Sequence, residues 1–122
     1  MGSIPSFLLT KLYVKGSLKN TATGFELAIQ NTLAPGTIVG LDSVRVDGSE
    51  YPLEAITAVL PDGTKISIAD VSADSGLRFG IGDRVTIRVE GQPLAAGPHK
   101  LRICPKTKEA GTLDILAEDT IA

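Results

Sequence analysis

Glycine and proline interrupt this chain so often that long helices have no room to form. The sequence contains 13 glycines and 7 prolines among its 122 residues. An amphipathic helix needs apolar side chains at three- and four-residue spacing, and no twelve-residue window keeps that spacing without an intervening glycine or proline. The sequence therefore favours short extended segments that are separated by turns.

The segments between these residues alternate apolar and polar side chains with a period of two, as a strand with one buried face does. The stretch "GFELAIQN", residues 24–31, is one example, and residues 41–48 and 82–90 repeat the pattern. We therefore predict that one set of side chains faces a common core: Phe25, Leu27, Ile29, Val44, Val46, Val85, Ile87, Val89, Leu101 and Ile103.

A hairpin is predicted within "AITAVLPDGTKISIAD", residues 55–70. Pro61 presets φ for a turn, Asp62 can accept hydrogen bonds from the turn backbone, and Gly63 can adopt a positive φ. The strand that returns from this turn carries Ile66 and Ile68 on one face.

Roughly seven short strands with turns at this rhythm predict an all-β fold, an antiparallel β-sandwich in the Ig-like or jelly-roll style. We predict a single domain over residues 1–122, with its core between about residues 10 and 117. The N-terminal apolar segment, residues 4–14, is predicted to dock on a partner. The last strand is expected at Leu113–Leu116, followed by an acidic tail that we expect to be frayed.

Composition excludes several classes of function. The net charge is -2 and the chain has only two tyrosines and three phenylalanines, so it offers neither a basic stripe nor many stacking platforms for nucleic acid. A single cysteine cannot form an internal disulfide and fits a reducing compartment. Because no apolar run is long enough for a signal peptide or a membrane span, we predict a cytoplasmic protein.

The residues that could carry chemistry are isolated from one another. His99 is the only histidine, so a triad or a three-ligand zinc site would need a nucleophile or other ligands to converge on it. We interpret His99 as an exposed turn residue after Gly97-Pro98. Cys104 is predicted near the surface, where Arg102 would lower the pKa of its thiol.

Two other patterns also have structural explanations. The glycine-rich stretch Gly80–Arg84 leads into a strand, whereas a phosphate-binding loop leads into a helix. The carboxylates are scattered and several adjoin turn glycines, where aspartate stabilises turns. We predict no catalytic, cofactor-binding or metal-binding residue in this chain.

Apolar residues in three predicted loop or terminal stretches exceed what loops ordinarily carry. Such a surplus either closes the ends of a sandwich or marks a surface for a partner. The predicted interface residues are Phe7, Leu8, Leu9, Leu33, Pro35, Thr37, Ile38, Val39, Leu77, Arg78 and Phe79.

The order of these segments resembles a known family. "LKN", "VRVDG" and "GDRVTIRV" lie in a stretch from Ser17 to Leu101 that is similar to the small β subunit of bacterial C-glycoside deglycosidases. The resemblance implies a hetero-oligomer that cleaves the carbon–carbon bond of 3-oxo-C-glycosides such as those of flavonoids. It places catalysis in a TIM-barrel α subunit of the sugar-phosphate isomerase type, with a divalent metal, usually manganese.

On that resemblance, the chain is the accessory subunit of a carbon–carbon lyase and is not active alone. Two alternatives stay open from the residues. One is a free-standing carbohydrate-binding sandwich, which the few aromatic side chains support only weakly. The other is a purely structural Ig-like module.

Overall fold

The computed structural model describes residues 4–122, so the first three residues of the predicted 1–122 domain lie outside the described residues. Within this range the chain forms two antiparallel sheets, one five-residue helix and two 3₁₀ helices at Leu53–Ala55 and Ile68–Asp70. The all-β prediction is confirmed. The helix is α1 (Ser6–Thr10), and the strands are β1 (Lys19–Asn20), β2 (Gly24–Gln30), β3 (Gly36–Val46), β4 (Ser49–Glu50), β5 (Ile56–Val59), β6 (Lys65–Ser67), β7 (Leu77–Phe79), β8 (Arg84–Glu90), β9 (Gly97–Thr107), β10 (Gly111–Thr112) and β11 (Ile115–Ile121).

The first sheet has the order β1-β2-β8-β5-β6. Its centre is the long pairing of β2 with β8, which runs from Gly24 opposite Glu90 to Gln30 opposite Arg84. The predicted hairpin joins β5 to β6: the Thr64 amide donates to Asp62 Oδ1 at 2.9 Å, and Gly63 has a φ of 91°. The turn residues therefore act as the sequence predicts.

The second sheet is organised around β3 and β9, its two longest strands. They pair with each other through most of their length, with two register shifts between Ile38 and Ser43. On its outer side β3 pairs with β4 and β7, whereas β9 pairs with β10 and β11. Each long strand thus has two further strands along its outer edge, of which β11 is the longest with seven residues.

The predicted inward-facing side chains meet between the two sheets and form one core. Phe25, Val44 and Ile103 are completely buried, and the other residues predicted to face a core are also buried. Burial of each such side chain contributes about 1.5–3 kcal/mol relative to exposure. The period-two pattern therefore identified the main source of stability.

The N-terminal segment closes the side of the sandwich between β2 and β11. Its backbone pairs with β2, because the Val14 amide donates to the Ala28 carbonyl at 3.0 Å and Gln30 donates to Leu12 at 2.7 Å. Its side chains reach the free edge of β11: Thr10 Oγ1 donates to the Leu116 carbonyl at 2.9 Å. Together with the bond from Lys15 Nζ to the Glu118 carbonyl at 2.6 Å, this contact covers part of a strand edge that would otherwise be open to other strands.

A buried carboxylate fastens this segment to β11. Asp119 is only 5% exposed, and its Oδ2 accepts hydrogen bonds from Tyr13 Oη at 2.5 Å, Gly16 N at 2.8 Å and Leu18 N at 3.3 Å. Its Oδ1 accepts from the Thr120 amide at 2.9 Å. Burial acts to raise the pKa of Asp119, but the donors, with Tyr13 first, outweigh it and lower the pKa overall. The pKa of Tyr13 is raised, mainly by burial and secondly by its hydrogen bond to Asp119.

The C-terminal part of the sequence prediction is wrong. The last strand spans Ile115–Ile121 and pairs with β9 as far as Gly97, so the predicted frayed tail is a full strand. It is ordered because Ile115 and Ile121 are buried in the core and because Asp119, which reads as a polar tail residue, faces inward.

We expect Tyr13→Phe to lower the free energy of unfolding by about 1.5–3 kcal/mol, because a buried carboxylate loses a charge-assisted donor. Urea unfolding measures this change. The matched control is Tyr51→Phe, since Tyr51 contacts Phe25 through its ring, with centroids 5.2 Å apart, and that contact survives loss of the hydroxyl. Equal effects of the two substitutions would contradict the assigned role of Tyr13.

Candidate binding cleft

An apolar cleft lies at the end of the sandwich where β2 ends and β3 begins. The loop before β3, the end of β7, the connection from β9 to β10 and the N-terminal segment all contribute to it. The cleft has a volume of about 80 Å³ and opens to solvent. Its lining is almost entirely apolar: Ile4, Leu12, Leu33, Ala34, Gly36, Phe79, Ala110 and Leu113, with Asn31, Thr107 and Glu109 as the polar members.

Asn31 holds the loop that forms one wall of the cleft. Its side chain is buried, and Nδ2 donates to the Ala34 carbonyl at 2.7 Å and to the Phe79 carbonyl at 2.6 Å. Its Oδ1 accepts from the Leu33 amide at 3.1 Å. The amide group thus uses both kinds of hydrogen-bonding atom and ties the loop to β7. The sequence signal for this role is an asparagine just before a Pro-Gly loop, where Asn commonly bonds the backbone two residues ahead.

The neighbouring turn, residues 80–83, is fixed in the same way. Asp83 Oδ2 accepts from the Gly80 amide at 2.8 Å, and the Gly82 amide donates to the Asn31 carbonyl at 2.8 Å. Gly82 has a φ of 87°, which only glycine adopts without strain. This turn presents Ile81, which is 63% exposed, to solvent. The stretch is a turn before a strand, as predicted.

Glu109 is the one carboxylate in the lining of the cleft. Its Oε1 accepts from the Thr37 amide at 2.8 Å and its Oε2 from the Thr37 hydroxyl at 3.1 Å. The Thr37 amide is the main cause that lowers the pKa of Glu109. The carboxylate is therefore charged at neutral pH and holds the β9–β10 connection to the start of β3.

The structure brings two of the three predicted interface stretches together. Strand β7 pairs with the start of β3, with Gly36 opposite Phe79 and Ile38 opposite Leu77. Of the predicted interface residues, four are buried in the chain's own core: Leu9, Ile38, Leu77 and Phe79. The rest retain exposure, and whether they contact a partner stays a prediction: Phe7, Leu8, Leu33, Pro35, Thr37, Val39 and Arg78.

The prediction that His99 is an exposed turn residue is wrong. His99 lies in β9 on the same side as Leu101 and Ile103, and its side chain is only 10% exposed. Its Nδ1 lies 2.6 Å from Asp47 Oδ2, and its Nε2 lies 2.7 Å from the Ala95 carbonyl oxygen. Since both neighbours are acceptors, the doubly protonated ring satisfies both contacts.

The predicted environment of Cys104 is also wrong. Cys104 is buried in β9, with its Sγ 3.5 Å from Asp114 Oδ1. Burial is the main cause that raises the pKa of the thiol, and it outweighs the opposing effect of Arg102. The thiol is therefore protonated and shielded rather than activated.

The described range, residues 4–122, bears on metal binding and on membrane crossing. No group of three or more His, Cys, Asp or Glu side chains within this range is arranged to hold a metal ion. No helix in the same range has the length and apolar character needed to cross a membrane. The cytoplasmic location stays a prediction.

Comparison with known proteins gives one family. A family model described as "Hydroxymethylglutaryl-CoA reductase, N-terminal domain" matches residues 8–122. The match begins within α1 and includes every strand of both sheets. A search of curated proteins finds no match to the chain.

This match overturns the resemblance to the β subunit of C-glycoside deglycosidases, which is a different family. The predicted role in cleaving flavonoid C-glycosides is wrong for the same reason, and neither alternative function gains support. The resemblance rested on strand-and-turn runs such as "VRVDG", and unrelated sandwiches contain similar runs because alternation and turn chemistry constrain them alike. The TIM-barrel partner and its metal are untested predictions.

We expect Asn31→Asp to destabilise the fold by about 2–4 kcal/mol, because an isosteric carboxylate cannot donate to the Ala34 and Phe79 carbonyls. Urea unfolding at neutral pH measures the change. Asn20→Asp is the matched control: Asn20 Nδ2 also donates to a carbonyl, that of Leu94 at 2.9 Å, but at an exposed position. A loss no larger than the control's would contradict the role of Asn31.

We expect the His99 imidazole to titrate above the value of a free histidine. The pKa of His99 is raised, mainly by the hydrogen bond to the Ala95 carbonyl and secondly by that to Asp47. The pKa of Asp47 is lowered, mainly by the hydrogen bond from the Lys100 amide and secondly by that from His99. The contribution of His99 to stability is therefore complete below its unfolded-state pKa of about 6.5 and disappears as pH rises through the folded-state pKa. That of Asp47 is complete above about pH 4 and disappears as pH falls through its lowered pKa.

Because the chain has one histidine, NMR titration of the untagged protein gives a single imidazole curve. We expect Asp47→Asn to lower the midpoint and to remove part of the extra stability below pH 6.5. A midpoint at or below that of a free histidine in the wild-type chain would contradict this arrangement.

Proposed function

Because this chain belongs to the family of hydroxymethylglutaryl-CoA reductase N-terminal domains, we propose that it serves such a reductase as a docking domain. The observation that carries the proposal is the family match over residues 8–122. In this proposal the sandwich binds and positions another part of the reductase, and the reduction takes place there.

The state of the reactive side chains supports a binding role. Both ring nitrogens of His99 are held by oxygen atoms, and the Tyr13 hydroxyl is bound to Asp119. The Cys104 thiol is buried, with its pKa raised by burial. A general acid–base or nucleophilic group has to reach a substrate, and these three groups are directed into the chain's own structure instead.

The apolar cleft is the docking surface that we propose. Its walls are held by hydrogen bonds of Asn31, Asp83 and Glu109. Because these loops are already ordered, binding of a partner would cost little further conformational entropy there. The exposed side chain of Ile81 and the exposed Pro35 extend the apolar surface beyond the cleft. An apolar side chain of the reductase would fill the cleft, as anchor residues do at protein interfaces.

The test is co-expression of this chain with the catalytic region of hydroxymethylglutaryl-CoA reductase from the same genome. Reduction of a thioester releases the CoA thiol, which can be titrated when a hydride donor is supplied. We expect the two polypeptides to co-elute at micromolar concentration and the isolated chain to release no thiol. Separate elution, or turnover by the isolated chain, would refute the proposal.

Two matched substitutions locate the contact. Ala34→Glu places a charge in the cleft and should weaken the complex about tenfold or more, because a buried unpaired charge is costly. Ala96→Glu makes the same change at an exposed position on the opposite end of the sandwich and should leave the complex unchanged. The reverse order of effects would place the docking surface elsewhere.

A further inference from the structure

A second groove lies on the outer face of the sheet that contains β3 and β9. It has a volume of about 210 Å³, opens to solvent, and is distinct from the apolar cleft. Three of its lining residues are cations and none is an acid: Arg45, Gly48, Lys100, Leu101, Arg102 and Leu116.

The cations are concentrated by the strand register. Arg45 on β3 lies directly opposite Arg102 on β9, and both side chains point away from the core because their neighbours Val44 and Ile103 are buried. Lys100 follows on the same face of β9, two residues from Arg102. Like charges opposite each other in a sheet are unfavourable, and an anion between them relieves the repulsion. Since Glu50 and Asp114 each pair with one of these arginines, the attraction for an anion comes from Lys100 and from the arginine N–H groups that these carboxylates do not use.

Carboxylates outside the groove orient both arginines without using all their donors. Arg45 Nε and Nη2 donate to Glu50 Oε1 at 3.1 and 2.9 Å. Arg102 Nε and Nη2 donate to Asp114 Oδ1 and Oδ2 at 2.8 and 3.0 Å. A guanidinium carries five N–H groups, so each arginine keeps donors for a further anion. Both guanidinium groups are thus oriented by these carboxylates before a ligand binds.

The groove also has an apolar flank. Leu116, the second residue of β11, lies opposite Arg102 and is 50% exposed. Beyond it, Glu118 lies opposite Lys100 and lines the adjoining depression. The cationic N–H donors therefore lie at the Arg45–Arg102 side, and a ligand would place its charged end there and its apolar part on Leu116.

We propose that this groove binds an amphiphilic anion, a carboxylate or phosphate group attached to an aliphatic chain. The anionic group bridges Arg45 and Arg102 through their free N–H donors, with Lys100 adding charge, and the first carbons of the chain cover Leu116. Arginine forks suit both anions because their planar donors match two oxygens at once. The site is independent of the docking function proposed above.

The experiment is an NMR titration of the ¹⁵N-labelled full chain with octyl phosphate below its micellar concentration. Octanol and inorganic phosphate are the matched probes that lack one half of the ligand, and octanoate separates carboxylate from phosphate preference. We expect shifts at the side-chain N–H signals of Arg45 and Arg102 and at the backbone of Leu116. Octyl phosphate or octanoate should bind about tenfold more tightly than octanol or inorganic phosphate.

Substitutions separate this site from general attraction to positive charge. Arg102→Gln should weaken binding about tenfold and Lys100→Gln by a smaller factor. Arg88→Gln is the control, because Arg88 is likewise an outward arginine paired with a carboxylate, Glu26 at 3.3 Å, but on the other sheet. If Arg102→Gln impairs folding, Lys100→Gln and the Arg45 signals still test the site. Shifts of equal size around Arg88, equal affinity for octanol, or unchanged affinity in Arg102→Gln and Lys100→Gln would overturn the proposal.

Discussion

The buried carboxylate of Asp119 is the interaction on which the closure of this sandwich depends. Two sheets can share a core and still leave the side between β2 and β11 open. Here one carboxylate accepts hydrogen bonds from Tyr13, Gly16 and Leu18, so the N-terminal segment is held to the last strand by a group that needs those donors. A buried charge without them would cost about 3–5 kcal/mol, as much as the largest apolar truncations in a core.

The part of the fold that follows from local pattern could be predicted from the sequence, and the part that depends on distant pairs could not. Alternation placed Phe25, Val44 and Ile103 in the core correctly, because the side-chain direction in a strand is set by parity. The hydrogen bond between Tyr13 and Asp119 joins residues that are 106 positions apart, and no local sequence pattern predicts it. The acidic last strand was therefore mistaken for a loose tail.

The candidate cleft was likewise predictable where local sequence pattern determines it and not where distant residues pair. An excess of apolar residues near Leu33 and Phe79 indicated this end of the molecule, and the structure places both residues in the lining. The polar side chains that shape the cleft, Asn31 and Glu109, were missed because their partners are carbonyls and amides of other strands. The family resemblance based on turn motifs was also wrong, because "VRVDG" corresponds to the β3–β4 hairpin and is not specific to one family.

The N-terminal segment covers one edge of β11, so proteolysis within this segment would expose that edge. Loss of the residues before Leu18 would remove the side chains that donate to the Leu116 and Glu118 carbonyls of β11, together with the Tyr13 and Gly16 donors to Asp119. Because an uncovered strand edge is a template for pairing with other strands, we expect the trimmed chain to aggregate more readily than the intact one. The short helix and the stretch after it thus protect the last strand from pairing with other chains.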